Sequence, residues 1–310
     1  MGFASARAYG GVGFMLDRIA ADVELRRAPT TTFVDTADLD EACYSELAML
    51  VASLAEVDGQ PVETIVHGHA PQHVGLGTKT ALKLAVVSAY HRLVETPTDR
   101  AAQQRLSGRG GASGIGIHGF FEGGVLWDVG KPAEAVEALL PSGAGLATST
   151  PTLMMRQAFP SSWRVGLCLP RAQRSHGEDE RRFFEANTPI PRDEALETMA
   201  LLYHGVLPAF RQADIALLAS SLAAVSQTGF KRLEIERCGV PVLKLLGDLG
   251  ARGYAAGMSS MGPLVYVIFA ADDERAPDEI AETCAIHDAE WLGSCCGLNR
   301  GASFCTVHTE

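Results

Sequence analysis

A two-glycine loop running straight into a long apolar-periodic segment limits what this chain can fold into more than any other feature. In PQHVGLGTKTALKLAVVSAYHRL (71–93), Gly75 and Gly77 precede Thr78, Lys79 and Thr80. Leu82, Ala85, Val86, Ala89 and Leu93 then recur at helical spacing and are expected to face the core. The stretch before the loop, VETIVHGHA (62–70), alternates as a half-buried strand does. A helix start needs only one capping oxygen, so two hydroxyls and a lysine exceed what capping requires. An anion accounts for the surplus: glycines let backbone N–H groups approach it, and the helix dipole favours negative charge there. A helix that merely begins on glycine-rich turn chemistry explains the same residues, and the segment alone leaves both readings open. It is not a Walker A loop, which needs four residues between its first glycine and Gly-Lys. Nor is it the dinucleotide fingerprint, because GLGTKT lacks the third glycine and no acidic residue follows at the required distance.

The rest of the chain mixes both kinds of element. TTTFVDT (30–36), GGVLWDVG (123–130), WRVGLCLP (163–170) and PLVYVIFA (263–270) read as strands, and 38–57 and 277–287 as helices. Residues 178–225 read as helix in about three pieces, broken by NTPIPRDE and by Pro208. Strands mixed with helices but without regular βαβ units indicate an α+β fold. The small-residue stretch LPSGAGLATSTPT (140–152) is the expected boundary between domains at 1–145 and 146–310.

Composition excludes several classes of function. The 310 residues carry a formal net charge of −11, which argues against a general nucleic-acid binder. Apolar stretches such as 262–271 are too short to span a bilayer, and the first residues lack the pattern of a signal peptide or a myristoylation site. Seven cysteines read as buried thiols of a cytoplasmic protein. Cys295 and Cys296 are adjacent, with Cys305 nearby, which is not the ligand spacing of a zinc site.

A second segment, SGRGGASGIGIHGFFEGGVLWDVG (107–130), holds nine glycines in 24 residues. Such density suggests backbone brought close to a ligand. The two segments together resemble the phosphate-binding loop and the downstream glycine-rich segment of the GHMP kinase superfamily. That superfamily has two α+β domains with the ligand site between them. Pro71, Gly75, Leu76, Gly77 and Thr78 fit its loop pattern, and Lys79 departs from it. Many of its kinases carry S-G-x-D, whose Asp acts on the substrate hydroxyl, whereas this chain has Ser113, Gly114, Ile115 and Gly116. Its last glycine motif is replaced by SSMGP (259–263). ATP-dependent phosphotransfer is therefore disfavoured, though a small-molecule kinase and a non-catalytic phosphate-binding member stay open as alternatives.

An ordered series of further stretches resembles the β-ribofuranosylaminobenzene 5′-phosphate synthase family within that superfamily. It comprises YGGVGFML (9–16), HVGLGTKTAL (73–82), SGIGIHGFFEGGVLWDVG (113–130), FPSSWRVGLCLP (159–170), HGEDERRFF (176–184), GFKRLEIE (229–236), SSMGPLVYV (259–267) and NRGA (299–302). The resemblance implies a C-glycoside synthase that joins phosphoribosyl pyrophosphate to p-aminobenzoate, losing CO₂ and pyrophosphate. It extends to the C-nucleoside antibiotic pathways of formycin and pyrazofurin, where the acceptor is an aminopyrazole carboxylate. Met261 stands where the family commonly has an aromatic residue, which leans towards the C-nucleoside branch. Family members begin with a strand ahead of the Gly-Gly-x-Gly turn that has no counterpart after Met1. The resemblance admits a homodimer and implies neither nucleic acid nor membrane as partner.

The expected pyrophosphate site is Gly75, Leu76, Gly77, Thr78, Lys79 and Thr80, with Ser113 and Gly114. Gly10, Gly11, His73, Arg109, Gly116, Ser259 and Ser260 are expected to contact substrate. Lys79 supplies a point charge to the leaving group, and Arg109 a fork for the 5′-phosphate or the acceptor carboxylate. Mg²⁺ is the expected cofactor. Asp128 and Glu178 are its candidate ligands and, with Lys79, the candidate catalytic residues. A strand-end turn for Asp128 and a helix-start acid for Glu178 are the structural alternatives. Lys231 and Arg232 read as an exposed face, and 171–182 as a solvated loop or a lid.

Overall fold

The computed structural model describes residues 6–18, 20–143, 150–172 and 177–306. The chain is α+β. Its first half runs β1 (Arg7–Ala8), β2 (Gly11–Phe14), β3 (Ala21–Arg27), β4 (Thr32–Asp35), α1 (Glu41–Asp58), β5 (Val62–His69), α2 (Thr78–Leu93), α3 (Arg100–Ser107), α4 (Ile115–Glu122), β6 (Val125–Asp128) and β7 (Lys131–Pro132). The second half runs β8 (Leu153–Gln157), β9 (Trp163–Pro170), α5 (Glu178–Asn187), α6 (Arg192–Leu201), α7 (Leu207–Gln212), α8 (Ile215–Ser226), α9 (Gly229–Cys238), α10 (Val240–Ala251), β10 (Ala255–Met258), β11 (Val265–Ala270), α11 (Ala276–Ile286) and β12 (Ala289–Cys295). Among the described residues, no helix is long and apolar enough to cross a membrane.

In the first half, β5 is the centre of the sheet β3-β5-β4, antiparallel to β3 and parallel to β4. Asp40 caps α1 by accepting from Cys43 N at 2.8 Å, and Gly59 ends that helix in the left-handed region at φ 64°. Cys43, Leu47, Val51 and Leu54 then meet Leu82, Val86 and Tyr90 of α2 over Val62 and Val66. Burying such side chains contributes on the order of 1.5–3 kcal/mol each, which holds α2 against the sheet.

In the second half, the antiparallel sheet β10-β11-β9-β12 carries the helices. A cluster of rings joins the halves: Phe14 lies 5.3 Å from Phe159 and 5.2 Å from Tyr266, and Phe159 lies 5.6 Å from Phe210. The sheet β2-β6-β8 also pairs strands from both sides of residue 145. The expected boundary itself falls within 144–149, outside the described residues.

Three expectations change. Ala85 and Ala89 line an open cleft rather than the core, because only one stripe of α2 faces the sheet. Pro208 does not break its helix: α6 runs into α7 through a π turn at Leu202–Val206, where Leu207 N bonds Leu202 O, and that wider turn accommodates the missing N–H. The break comes at Ala213, at φ 54°, just before the capping Asp214.

The third change concerns the glycine-dense segment. Residues 115–122 form α4, and its glycines admit neighbouring protein. A Cβ at Gly116 would stand 3.2 Å from Thr80 Cγ2, and one at Gly110 would stand 2.6 Å from Ile117 Cδ1. Close approach of protein neighbours, Thr80 at Gly116, Ile117 at Gly110, Met15 at Gly119 and Arg300 at Gly123, accounts for much of the glycine density.

Candidate active site in the cleft between the halves

A cleft of about 2290 Å³ opens between the loop 71–80, β2, α4, α5, α9 and the turn 259–262. A typical small-molecule pocket holds roughly 300–1,000 Å³, so this cleft has room for two substrates side by side.

One wall is the start of α2. Gly77 caps the helix at φ 71° with nothing within 4 Å of where its Cβ would stand. The helix therefore opens directly on the cleft, presenting its first N–H groups and the positive end of its dipole. Thr78 is buried and donates from Oγ1 to Pro71 O at 2.9 Å, closing the loop on itself. Leu76 packs into the core that joins the halves. Lys79 and Thr80 line the cleft.

The side chains around this wall are tightly committed. Lys79 Nζ lies 2.7 Å from Glu46 Oε1. Thr80 Oγ1 accepts from Arg109 Nε at 3.0 Å, and Arg109 Nη1 reaches Ser142 O at 3.4 Å. Burial lowers the Arg109 pKa, with Glu46 and Glu180 pulling the other way, and the guanidinium stays cationic. His73, at φ 58°, places Nε2 3.1 Å from Asp40 Oδ2, which also accepts from Gln72 Nε2 at 2.5 Å. Burial raises the Asp40 carboxyl, but the Cys43 N–H and His73 outweigh it and hold it below its ordinary value.

The opposite wall comes from the second half. Ser259 and Ser260 line the cleft and back the loop: Leu264 N donates to Val74 O at 3.3 Å. Met261, at φ 59°, donates its N–H to Glu234 Oε1 at 2.9 Å. Lys231 Nζ lies 2.5 Å from Glu234 Oε2 and lines the cleft, so it is not on a plain solvated face as expected; Arg232 pairs with Glu194 and Glu236. Glu46 and Glu234 were missed by sequence reasoning, because nothing in their spacing marks which face of α1 or α9 meets a cleft.

The remaining expected residues divide. Gly10, Gly11, Ser113 and Gly116 line the cleft. Gly114 and Asp128 do not: Asp128 is fully buried and accepts from Gly114 N and Gly130 N at 3.0 Å each. Burial raises its pKa, while those two N–H groups pull it down. Its oxygens hold backbone, which is the strand-end alternative and leaves no open edge for a metal. Glu178 lines the cleft from the first turn of α5, with 63% of its side chain exposed and Oε1 3.5 Å from Arg182 Nε. Asp128 and Glu178 are therefore not brought together as a Mg²⁺ site. Among the described residues, no group of three or more His, Cys, Asp or Glu is placed to hold a metal ion. Residues 173–176 of the expected lid lie outside the described residues.

The chain is 33% identical over 262 residues to the β-ribofuranosylphenol 5′-phosphate synthase of Archaeoglobus fulgidus, covering 84% of this chain and 80% of that one. The chain belongs to that synthase family. A second relative of the same name, from Methanothermobacter thermautotrophicus, is 32% identical over 237 residues, 75% of this chain and 70% of its own. No protein-family model matches. Family membership makes this an enzyme of the ribofuranosyl phosphate synthase type. Its relatives are named for a phenol, where the sequence resemblance implied an aminobenzene.

The fold is that of the GHMP kinases. Phosphomevalonate kinase from Streptococcus pneumoniae superposes with a TM-score of 0.66 at 13% identity, over 94% of this chain and 93% of that one. Homoserine kinase from Cytophaga hutchinsonii gives 0.62 at 16%, over 94% and 90%. At such identities the likeness shows architecture, and activity must be argued from the site.

Proposed function

We propose that this synthase joins the ribosyl 5-phosphate of phosphoribosyl pyrophosphate to a ring carbon of an aromatic or heteroaromatic carboxylate that carries an amino or hydroxyl group. Pyrophosphate and CO₂ leave. The observation that carries this reading is the pairing of an open, glycine-capped start of α2, flanked by Lys79 and Arg109, with Gly116 at the position of the kinase carboxylate. This supports a site that binds an anion at the start of α2 while Thr80 crowds the position where the kinases carry a hydroxyl-activating acid.

Pyrophosphate departure places positive charge on the ribosyl ring and negative charge on the leaving group. Donors aimed at that developing charge are the largest contribution a site of this kind makes. The start of α2 and Lys79 fill that role, and Arg109 takes the 5′-phosphate or the acceptor carboxylate. The acceptor's amino or hydroxyl group pushes electron density to the ring carbon bearing the carboxylate, which attacks C1′. Loss of CO₂ returns the electron pair to the ring, so no protein nucleophile is needed. Among the described residues no three His, Cys, Asp or Glu converge on a metal; Mg²⁺ would therefore enter with the donor's phosphates, and no step is assigned to it.

The acceptor is proposed to lie against Lys231, Met261 and Tyr266, all of which line the cleft. Met261 in place of the family's aromatic residue changes the wall against which the acceptor would lie, and we read that change as favouring a heteroaromatic acceptor of the aminopyrazole type. The test is pyrophosphate release from phosphoribosyl pyrophosphate with Mg²⁺ and each of p-aminobenzoate, p-hydroxybenzoate and an aminopyrazole carboxylate. Release that needs one of these acids supports the reading. Turnover of ATP with none of them would establish a kinase instead.

A further inference from the structure

Lys79 and Lys83 stand one turn apart on α2, and a single carboxylate bridges them. Glu46 of α1 places Oε1 2.7 Å from Lys79 Nζ and Oε2 2.7 Å from Lys83 Nζ. Glu46 and Lys79 line the cleft; Lys83, with 15% of its side chain exposed, lies behind it. Burial would raise the Glu46 carboxyl, but the two ammonium groups outweigh it and hold it ionised, below its ordinary value.

This geometry has a consequence for any anion arriving at the start of α2. The anion competes with Glu46 for Lys79. Were Lys79 the sole partner of Glu46, its departure would leave a half-buried carboxylate unpaired beside an incoming polyanion. An uncompensated charge of that kind is strongly destabilising. Lys83 sits on the second oxygen and keeps the carboxylate paired throughout.

We propose that Glu46 and Lys83 are positioning residues that deliver Lys79 to pyrophosphate: Lys83 retains the Glu46 charge while Lys79 transfers from the carboxylate to the anion. Lys83 does not touch substrate and acts through Glu46 on Lys79. The inference rests on the proposed anion site at the start of α2 and adds how its lysine is held and released.

The test is calorimetric titration of the full chain with inorganic pyrophosphate, with melting curves to confirm folding. In the presence of Glu46, Lys83→Met is expected to weaken pyrophosphate about tenfold, the scale of one charge-assisted contact. In a Glu46→Gln background, where Lys83 has no charge to retain, the same change is expected to do nothing. A lost positive field alone would weaken both backgrounds equally, and that result overturns the inference. Glu46→Gln releases Lys79 without removing a cation, so it is expected to tighten pyrophosphate alone and to restore affinity to Lys83→Met. Weaker binding by Glu46→Gln overturns the inference even if Lys83→Met fails to fold. Should Lys79→Ala bind pyrophosphate as wild type does, the anion site itself fails, and the inference with it. Weakening by Lys79→Ala with equal Lys83 effects in both backgrounds removes only the inference.

Discussion

Ser259 Oγ donates a 2.6 Å hydrogen bond to the carbonyl oxygen of Gly75, fastening the second half of the chain to the first glycine of the anion loop. Gly75 holds φ at 94°, and a Cβ there would stand 2.8 Å from Ser260 O and 2.9 Å from Ser259 Cβ. Both the left-handed backbone and the approach of the turn require glycine. Ser259→Ala is expected to cost about 1 kcal/mol of stability, the net worth of one hydrogen bond. Gly75→Ala is expected to cost more than about 2 kcal/mol, as strain adds to overpacking. Urea unfolding measures both. A Gly75→Ala protein as stable as Ser259→Ala would show that the loop and turn do not abut.

A carboxylate in the kinase position is crowded by Thr80. At Gly116 a side chain meets Thr80 Cγ2 at 3.2 Å, and Thr80 in turn holds Arg109. Gly116→Asp is expected to create no phosphotransfer from ATP and to weaken the ribosyl donor by about tenfold or more, through displaced Arg109 and added negative charge. Wild-type donor affinity in a normally folded Gly116→Asp protein would remove α4 from the site.

Asp128 is a structural acid. Removing its side chain orphans the Gly114 and Gly130 N–H groups, and Asp128→Ala is expected to lose about 2–6 kcal/mol, since each buried unpaired donor costs roughly 1–3 kcal/mol. Its pKa is raised in the folded state, chiefly by burial. The native chain therefore binds that proton more tightly than the unfolded one, and this group's contribution to stability falls as pH rises from 3.8 through the folded pKa. Asp128→Asn is expected to flatten that slope and to leave the Mg²⁺ dependence of pyrophosphate binding unchanged. A Mg²⁺ requirement shifted by Asp128→Asn in a folded protein would restore the metal-ligand role.

The same distinctions show what the sequence made legible. Strand 62–69, the glycine loop and helix 78–93 were readable because alternation, φ-permissive residues and helical periodicity are all local properties. The stripe that Ala85 and Ala89 occupy was not, since it depends on which face of α2 meets the sheet. Strand 21–27 was missed: its charged residues hide the pairing with β5. Glycine density near Gly116 was visible, but whether ligand or Thr80 fills the space is a tertiary question. Glu46 is the sharpest case, for only packing of α1 on α2 brings it 33 residues back onto Lys79.

Thiol reactivity should follow burial. Burial pushes the Cys43 thiol up to about 11 and that of Cys295 up to about 12, so neither forms thiolate near neutral pH. Cys305 is exposed. Iodoacetamide at pH 8 is expected to label Cys305 first and to leave Cys43, Cys168, Cys238 and Cys284 unmodified until denaturant is added. Early labelling of Cys43 in the folded chain would contradict the packing of α1 on α2.

The central claim is that a ring carbon bearing a carboxylate captures C1′ and then sheds that carboxylate. Carboxyl-¹³C acceptor, phosphoribosyl pyrophosphate and Mg²⁺ should give ¹³CO₂ and pyrophosphate in equal amounts, with a product whose ribosyl group survives acid as a C-glycoside does. Pyrophosphate released without ¹³CO₂, leaving an acid-labile product that keeps the label, would mean ribosylation at nitrogen or oxygen and would contradict the account.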